Sequence, residues 1–307
     1  MDFHRPGPSY LETHRNGHLK ALAEGTRERS RSCDICPRSC GVDRLSGEIG
    51  YCGIGDKAVV SSYGPHPGEE GPISGRKGSG TIFFSGCNLG CRYCQNHDIS
   101  QTATGQVMGD RELASAMVRL QDIGCHNINL VSPTHVVPQI LSALPLAVES
   151  GLQVPIVYNT GGYDSIDTLR CLEGVVDIYM PDMKYSDPGY GEFYSLVPDY
   201  PRVNRSAVRE MHRQVGDLML DERKIAVRGL LVRHLILPND VSGTGRVLEF
   251  ISQELSRDTY VNLMRQYGPC YDILDDPLLN RRIETFEFER AEELAFKLGL
   301  WRLDHLM

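Results

Sequence analysis

Short apolar, β-branched runs alternate along most of this chain with longer stretches in which apolar residues recur at helical spacing. The first clear run covers residues 81–85, and others follow at 127–132, 154–158, 175–180, 230–237 and Tyr260–Met264. Between them the pattern predicts helices over 110–124, with Asp110 as the N-cap, and over 135–150, 165–172, 207–220 and 245–256. Strands separated by helices are the signature of a parallel sheet with helices on its outer face. Six strands are two short of a closed eight-stranded barrel.

Ahead of the first run, residues 10–25 form a mixed polar and apolar helical stretch with Leu11, Leu19, Leu22 and Ala23 as a partial apolar face. The basic segment 27–31 reads as its solvated end. Residues 64–80 are rich in glycine and proline and read as a linker and turn region. Gly75, Gly78 and Gly80 are not a phosphate loop, because no Gly-Lys-Ser/Thr follows and a strand comes next. The chain therefore divides into an N-terminal helix and cysteine-rich module (1–78), a sheet domain (79–270) and a C-terminal helical extension (271–307) that packs on the exterior.

A length of 307 residues suffices for one barrel-sized domain with a small appendage. The net charge of −8 and pI near 5.7 disfavour a nucleic-acid partner. The N-terminal stretch lacks the apolar core of a signal peptide and no apolar run reaches membrane-spanning length, so the expectation is a cytoplasmic protein with no membrane partner. In a reducing compartment its ten cysteines are expected to be ligands, buried thiols or reactive groups.

Cys87, Cys91 and Cys94 follow the first strand on a loop made flexible by Gly86, Asn88 and Gly90. At that spacing the thiolates can converge on one centre, and soft sulfur ligands select zinc or an iron–sulfur cluster. A cubic cluster has four irons, so three cysteines leave one iron open for chemistry. Earlier, Cys33, Cys36, Cys40 and Cys52 crowd into a glycine-rich, helix-poor segment that a metal staple would stabilise. They read as a second site, holding zinc or an auxiliary iron–sulfur cluster, against the alternative of four unligated thiols.

The motif Cys87-x-x-x-Cys91-x-x-Cys94, with Tyr93 before the last cysteine, resembles the signature of radical S-adenosylmethionine (SAM) enzymes. With the earlier cysteines, the region 33–269 is most similar to uncharacterised iron–sulfur relatives of pyruvate formate-lyase activating enzyme. The resemblance implies an α/β fold, a partial (β/α)6 TIM-like barrel with a small N-terminal cysteine-rich module. It implies a 4Fe-4S cluster on Cys87, Cys91 and Cys94, SAM as cofactor and an electron donor such as flavodoxin or ferredoxin. The activity implied is that of an oxidoreductase whose 5′-deoxyadenosyl radical takes hydrogen from a substrate, first a peptide or protein as in activating enzymes, second a small molecule. A rival class is a non-catalytic iron–sulfur electron carrier, which has no use for a SAM pocket; a zinc-held structural protein is a further one.

Active residues of barrels sit at the carboxyl ends of strands. After the second strand, Ser132-Pro133-Thr134-His135 stands where activating enzymes carry a Gly-Gly-Glu turn for SAM's amino group, so Ser132, Thr134 or backbone carbonyls inherit that contact. His135 is a candidate SAM or substrate contact, or simply a turn residue. Asn159 and Thr160 end the third strand beside Gly161 and Gly162, which suits a ribose, a carboxylate or a small cation. Asp182 and Lys184 resemble the Asp-x-Lys element lining the SAM pocket and alternate to one face. In the relatives, residues matching Asn159, Thr160, Met180 and Asp182 surround a cation, but Asn159 replaces an acid there. One of Arg233 and His234 faces the cavity, and Arg233 can bind a carboxylate. Asn262, Met264, Gln266 and Tyr267 reach the same mouth, while Cys125, Cys171 and Cys270 read as buried thiols, with Cys270 in reach of a substrate.

Overall fold

The computed structural model describes residues 7–304; residues 1–6 and 305–307, the ends of the first and third predicted segments, lie outside the described residues. Its strands are β1 (Ala58–His66), β2 (Ser79–Phe84), β3 (Gln106–Met108), β4 (Ile128–Val131), β5 (Ile156–Thr160), β6 (Ile178–Pro181), β7 (Met219–Leu220), β8 (Ala226–Leu235) and β9 (Tyr260–Met264). The helices are α1 (Ser9–Arg15), α2 (His18–Glu28), α3 (Gly71–Ser74), α4 (His97–Ser100), α5 (Asp110–Ile123), α6 (Val137–Glu149), α7 (Ile166–Cys171), α8 (Pro188–Ser195), α9 (Tyr200–Val215), α10 (Thr244–Phe250) and α11 (Thr285–Lys297).

Strands β2, β4, β5, β6, β8 and β9 pair in that order, all parallel, and they are the six strands that the apolar runs predict. The sheet does not close, since β9 pairs with β8 and not with β2. The fold is thus a mixed α/β partial barrel of the TIM type, as expected.

The region read as a linker is the main correction. β1 lies antiparallel beside β2, with Pro65 opposite Gly80, and β3 pairs with the other edge of β1 over Ala58–Val60 only. Pro65 therefore falls where β1 has a single neighbour, which is where a strand tolerates a residue without an N–H. The connection to β2 turns into the barrel: Ile73 of α3 packs with Val157, Ile178, Met180 and Leu231 inside it. The N-terminal segment shares the main core as well, through Tyr10, Leu19, Ile35 and Ile54. The division at residue 78 thus falls inside one sheet and one core.

Other differences are local. The first helical stretch breaks at Gly17, whose φ of +80° separates α1 from α2. α5 is capped at Gly109 by Glu112 reaching back to its N–H at 2.7 Å, one residue before the expected cap. α9 begins at Tyr200, seven residues early, because Pro201 sits in the first turn, where no intrahelical N–H bond is needed. Among the described residues no helix is long and apolar enough to cross a membrane.

A candidate active site at the barrel mouth

β2 ends inside the sheet and the chain turns at Gly86, with φ +77°. A Cβ there would lie 2.3 Å from the Cys52 carbonyl oxygen, so glycine is required by the close approach of the N-terminal segment. The turn delivers Cys87, Cys91 and Cys94 to the wall of a cavity of about 440 Å³ that runs down the barrel mouth. Cys87 Sγ accepts from the Leu89 N–H at 3.4 Å. The Cys91 Sγ lies 3.0 Å from Ser195 Oγ and the Cys94 Sγ 3.2 Å from Ser100 Oγ.

Burial pushes the Cys87 thiol up to about 12 and raises Cys91 as well. Such thiols stay protonated unless a cationic centre draws them to thiolate. Three soft donors on one loop, facing one cavity, fit an iron–sulfur cluster. Among the described residues no three His, Cys, Asp or Glu side chains gather as the ligand set of one metal ion. Each thiolate of a cubic cluster binds a different iron, so that geometry is not required of them.

Behind the loop is a tyrosine cage. Tyr185 donates to Tyr93 Oη at 2.6 Å and lies 2.9 Å from Ser195 Oγ, the hydroxyl beside Cys91. Tyr93 also meets Tyr194 and Tyr267 edge-on, with ring centroids 6.3 and 6.0 Å apart. Tyr93 lines the cavity itself.

Ser132, Asn159, Thr160, Asp182, Lys184 and Arg233 line the same cavity, as do Asn262, Met264 and Gln266. Ser132, the residue after β4, sits in the left-handed region at φ +56°, a strained position for a non-glycine residue at a site. Lys184 Nζ stands 2.5 Å from Asp182 Oδ2. Burial alone would lower the lysine's pKa, but the Asp182 charge outweighs it and holds the ammonium form.

Three expected roles change. Thr134 turns away from the cavity and donates to Asp164 Oδ1 at 2.7 Å, beside Thr160 and Tyr158, which donate to the same carboxylate. Burial raises the pKa of this Asp164, which nothing in the sequence singled out. His135 is rotated by the tight turn that opens α6 and faces the four N-terminal cysteines instead. Burial lowers its pKa to about 4, so the neutral ring donates from Nε2 to the Ser85 carbonyl at 2.9 Å. Arg233 faces the cavity but is already held by two internal carboxylates: Glu70, at 2.6 and 2.7 Å, and Glu69. His234 points away, to the Met183 carbonyl at 2.7 Å and Thr244 at 3.0 Å. Cys171 and Cys270 are half-buried where full burial was expected, and the Cys270 thiol donates to the Tyr93 carbonyl at 3.3 Å.

Cys33, Cys36, Cys40 and Cys52 surround a second, small cavity with Asn88 and His135. Arg44, 1% exposed, donates to the Gly55 and His135 carbonyls at 2.7 and 2.8 Å and has Cys33 Sγ 3.9 Å away. Burial pushes Cys36 up to about 12 and raises Cys52. Asn88 belongs to the cysteine loop of the first cavity, and Arg38 donates to its carbonyl at 2.9 Å, so the two cysteine groups are packed back to back.

This open barrel has counterparts in fold among solved structures. It superposes on HydG, a maturase of the [FeFe]-hydrogenase, with a TM-score of 0.50 and 12% identity, over 95% of this chain and 64% of that one. A radical SAM methyltransferase from Sphaerobacter thermophilus aligns over 72% and 64% of the two chains, with a TM-score of 0.49 and 17% identity. The chain thus spans less than two thirds of either solved protein. Residues 73–148 match the 4Fe-4S single cluster domain family. The chain is 32% identical to MJ0674, an uncharacterized protein of Methanocaldococcus jannaschii, over 98% of its own length and 85% of the relative's, and it belongs to that family. MJ0808 of the same organism is 26% identical over 87% and 78% of the two chains.

Proposed function

We propose that the protein is a radical SAM enzyme that abstracts hydrogen from a peptide or protein substrate. The observation that carries this reading is the opening of Cys87, Cys91 and Cys94 into the same cavity as a row of polar strand ends. Those three thiols would hold a 4Fe-4S cluster with one iron free for SAM. When bound and reduced, the cluster supplies an electron to the SAM sulfonium, releasing methionine and a 5′-deoxyadenosyl radical.

The chain's own share is binding, orientation and shielding. Ser132, in its left-handed turn, and Asn159 present polar groups at the β4 and β5 ends, where SAM would lie. The Asp182–Lys184 pair offers both charges on one face for the zwitterionic ligand. Phe83, Leu89 and Met264 form apolar walls that keep water from the radical. A flavodoxin or ferredoxin is the class of electron donor. The peptide substrate follows from the resemblance to activating enzymes.

Reconstituted, reduced protein incubated anaerobically with SAM is expected to form 5′-deoxyadenosine and methionine. An intact, reducible cluster that neither cleaves nor binds SAM would overturn the reading in favour of an electron carrier. The four N-terminal cysteines form a second metal site in this proposal, holding zinc or an auxiliary iron–sulfur cluster; since no described side chains gather as the ligand set of a single ion, the cluster fits their arrangement better than zinc. Replacing Cys33, Cys36, Cys40 and Cys52 together by serine is expected to remove one class of bound metal while leaving the Cys87 cluster's absorbance. Unchanged iron, sulfide and zinc contents would show that these thiols hold nothing.

A further inference from the structure

The fixed charges of the main cavity do not balance. Among the described residues that line it, Glu69, Glu70 and Asp182 supply three carboxylates, and Lys184 and Arg233 supply two cations. Asp182 is matched by Lys184, and Glu70 takes both Nε and one terminal nitrogen of Arg233. Glu70 is matched further by Asn262, which donates to it at 2.7 Å. That same terminal nitrogen also reaches one oxygen of Glu69, and the other terminal nitrogen donates to Asn159 Oδ1 at 3.3 Å.

The other oxygen of that carboxylate is free. Glu69 is 6% exposed, and its Oε1 accepts no hydrogen bond among the described residues. On that side His66 Nδ1 stands 3.6 Å away, an ion-pair distance if the ring is protonated but beyond hydrogen-bond reach, and has no hydrogen-bond partner among the described residues. That oxygen is not sealed in the core but opens on the cavity, where a cationic group of a ligand can reach it.

A second observation lies on the neighbouring strand. Asn129 is completely buried, two residues before the cavity-lining Val131 and so on the same strand face, and neither atom of its amide has a partner among the described residues. Hydrocarbon fills the barrel below, around Ile73, Val157 and Leu231. The layer between that core and the mouth is therefore built for a polar occupant, and its uncompensated charge is negative.

We propose that Glu69 anchors a positively charged nitrogen of the substrate, an ammonium group carried by a lysine side chain of a peptide or by a small amine. The inference rests on the radical SAM reading and adds the substrate class to it. Glu69 comes from the connection between β1 and β2, so the anchor lies on a different element from the polar strand ends at β4 to β6 that face SAM. It orients the substrate's cationic end and leaves the adjoining carbon chain among the apolar walls near Phe83 and Met264.

The test is binding to the reconstituted holoprotein in the presence of SAM, measured by anaerobic calorimetry. Three probes are compared: Nα-acetyl-lysine amide, its neutral counterpart Nα-acetyl-norleucine amide, and cadaverine. At least one cationic probe is expected to bind about tenfold or more tightly than the neutral one. The preference is expected to vanish in Glu69→Gln and to survive, weakened, in Glu69→Asp. Strong binding by the lysine amide alone assigns a peptide source, and by cadaverine alone a small amine. Equal affinity for charged and neutral probes, no binding by either cation, or an undiminished preference in a folded Glu69→Gln protein overturns the proposal. SAM binding is followed separately by its perturbation of the cluster's EPR spectrum. Failure there defeats the radical SAM reading itself, whereas SAM binding without a cation preference defeats only the anchor.

Discussion

Alanine at Cys91 will lower 5′-deoxyadenosine formation by at least about 10³-fold while the protein stays folded. Cys91 is the middle ligand of the proposed set, 8% exposed, with its Sγ against Ser195 and beneath the Tyr93–Tyr185 pair. Two cysteines cannot retain a cubic cluster that already has one open iron, so iron and sulfide at this site should fall together with turnover. The structural cost is small by comparison. A single sulfur is removed, and its environment of hydroxyls and aromatic rings can close in, so the expected loss is about 1 kcal/mol or a few degrees in Tm. The informative measurement pairs chromatographic assay of 5′-deoxyadenosine with iron analysis and a thermal melt on the same preparation. Full turnover in the variant would remove Cys91 from the chemistry. Lost turnover with an unfolded chain would demand the milder Cys91→Ser variant before anything is concluded.

Much of this site was legible in the sequence because two signals agreed. The β-branched runs have period and length enough to mark all six parallel strands, and the polar strand ends follow from counting residues beyond each run. Asp182 and Lys184 could be assigned to one face because strand alternation needs no tertiary information. What stayed hidden depended on contacts between distant segments. Glu69 and Glu70 lie in a stretch whose glycine and proline content reads as a turn, and only the folding of α3 into the barrel brings them to Arg233, 163 residues away in the case of Glu70. The histidine of the Ser-Pro-Thr-His turn could be placed on the chain but not in direction. One tight helical turn rotates it from the cavity to the back of the cysteine loop. Strand alternation puts one of Arg233 and His234 in the cavity without saying which, and an arginine's need for a carboxylate does not reveal whether ligand or protein supplies it.

The largest stability effect is expected from that same arginine. Arg233→Met keeps the length and apolar stem of the side chain but strands Glu69 and Glu70, 6% and 1% exposed, beside each other without a counter-charge. Breaking a buried ion pair from one side costs about 3–5 kcal/mol, more than deletion of the whole interaction would. The pH dependence identifies the cause. In the wild type, burial raises the pKa of Glu70, but the charge and hydrogen bonds of Arg233, with the Asn262 amide, bring it below the ordinary value. Its contribution is thus present above the unfolded carboxylate's pKa and lost as pH falls through the folded one. Without the arginine, burial dominates and the folded state binds a proton more tightly than the unfolded state does. The sign reverses: the variant's deficit should shrink on acidification and grow as pH rises toward neutrality. Guanidinium unfolding of wild type and variant at pH 5 and pH 8 reads this directly. Adding Glu70→Gln to Arg233→Met removes one of the two stranded charges and should recover a large part of the loss. A deficit that ignores both pH and the second substitution would mean that Arg233 stabilises the barrel by packing alone, and the carboxylate pair would then have to be carrying its protons already.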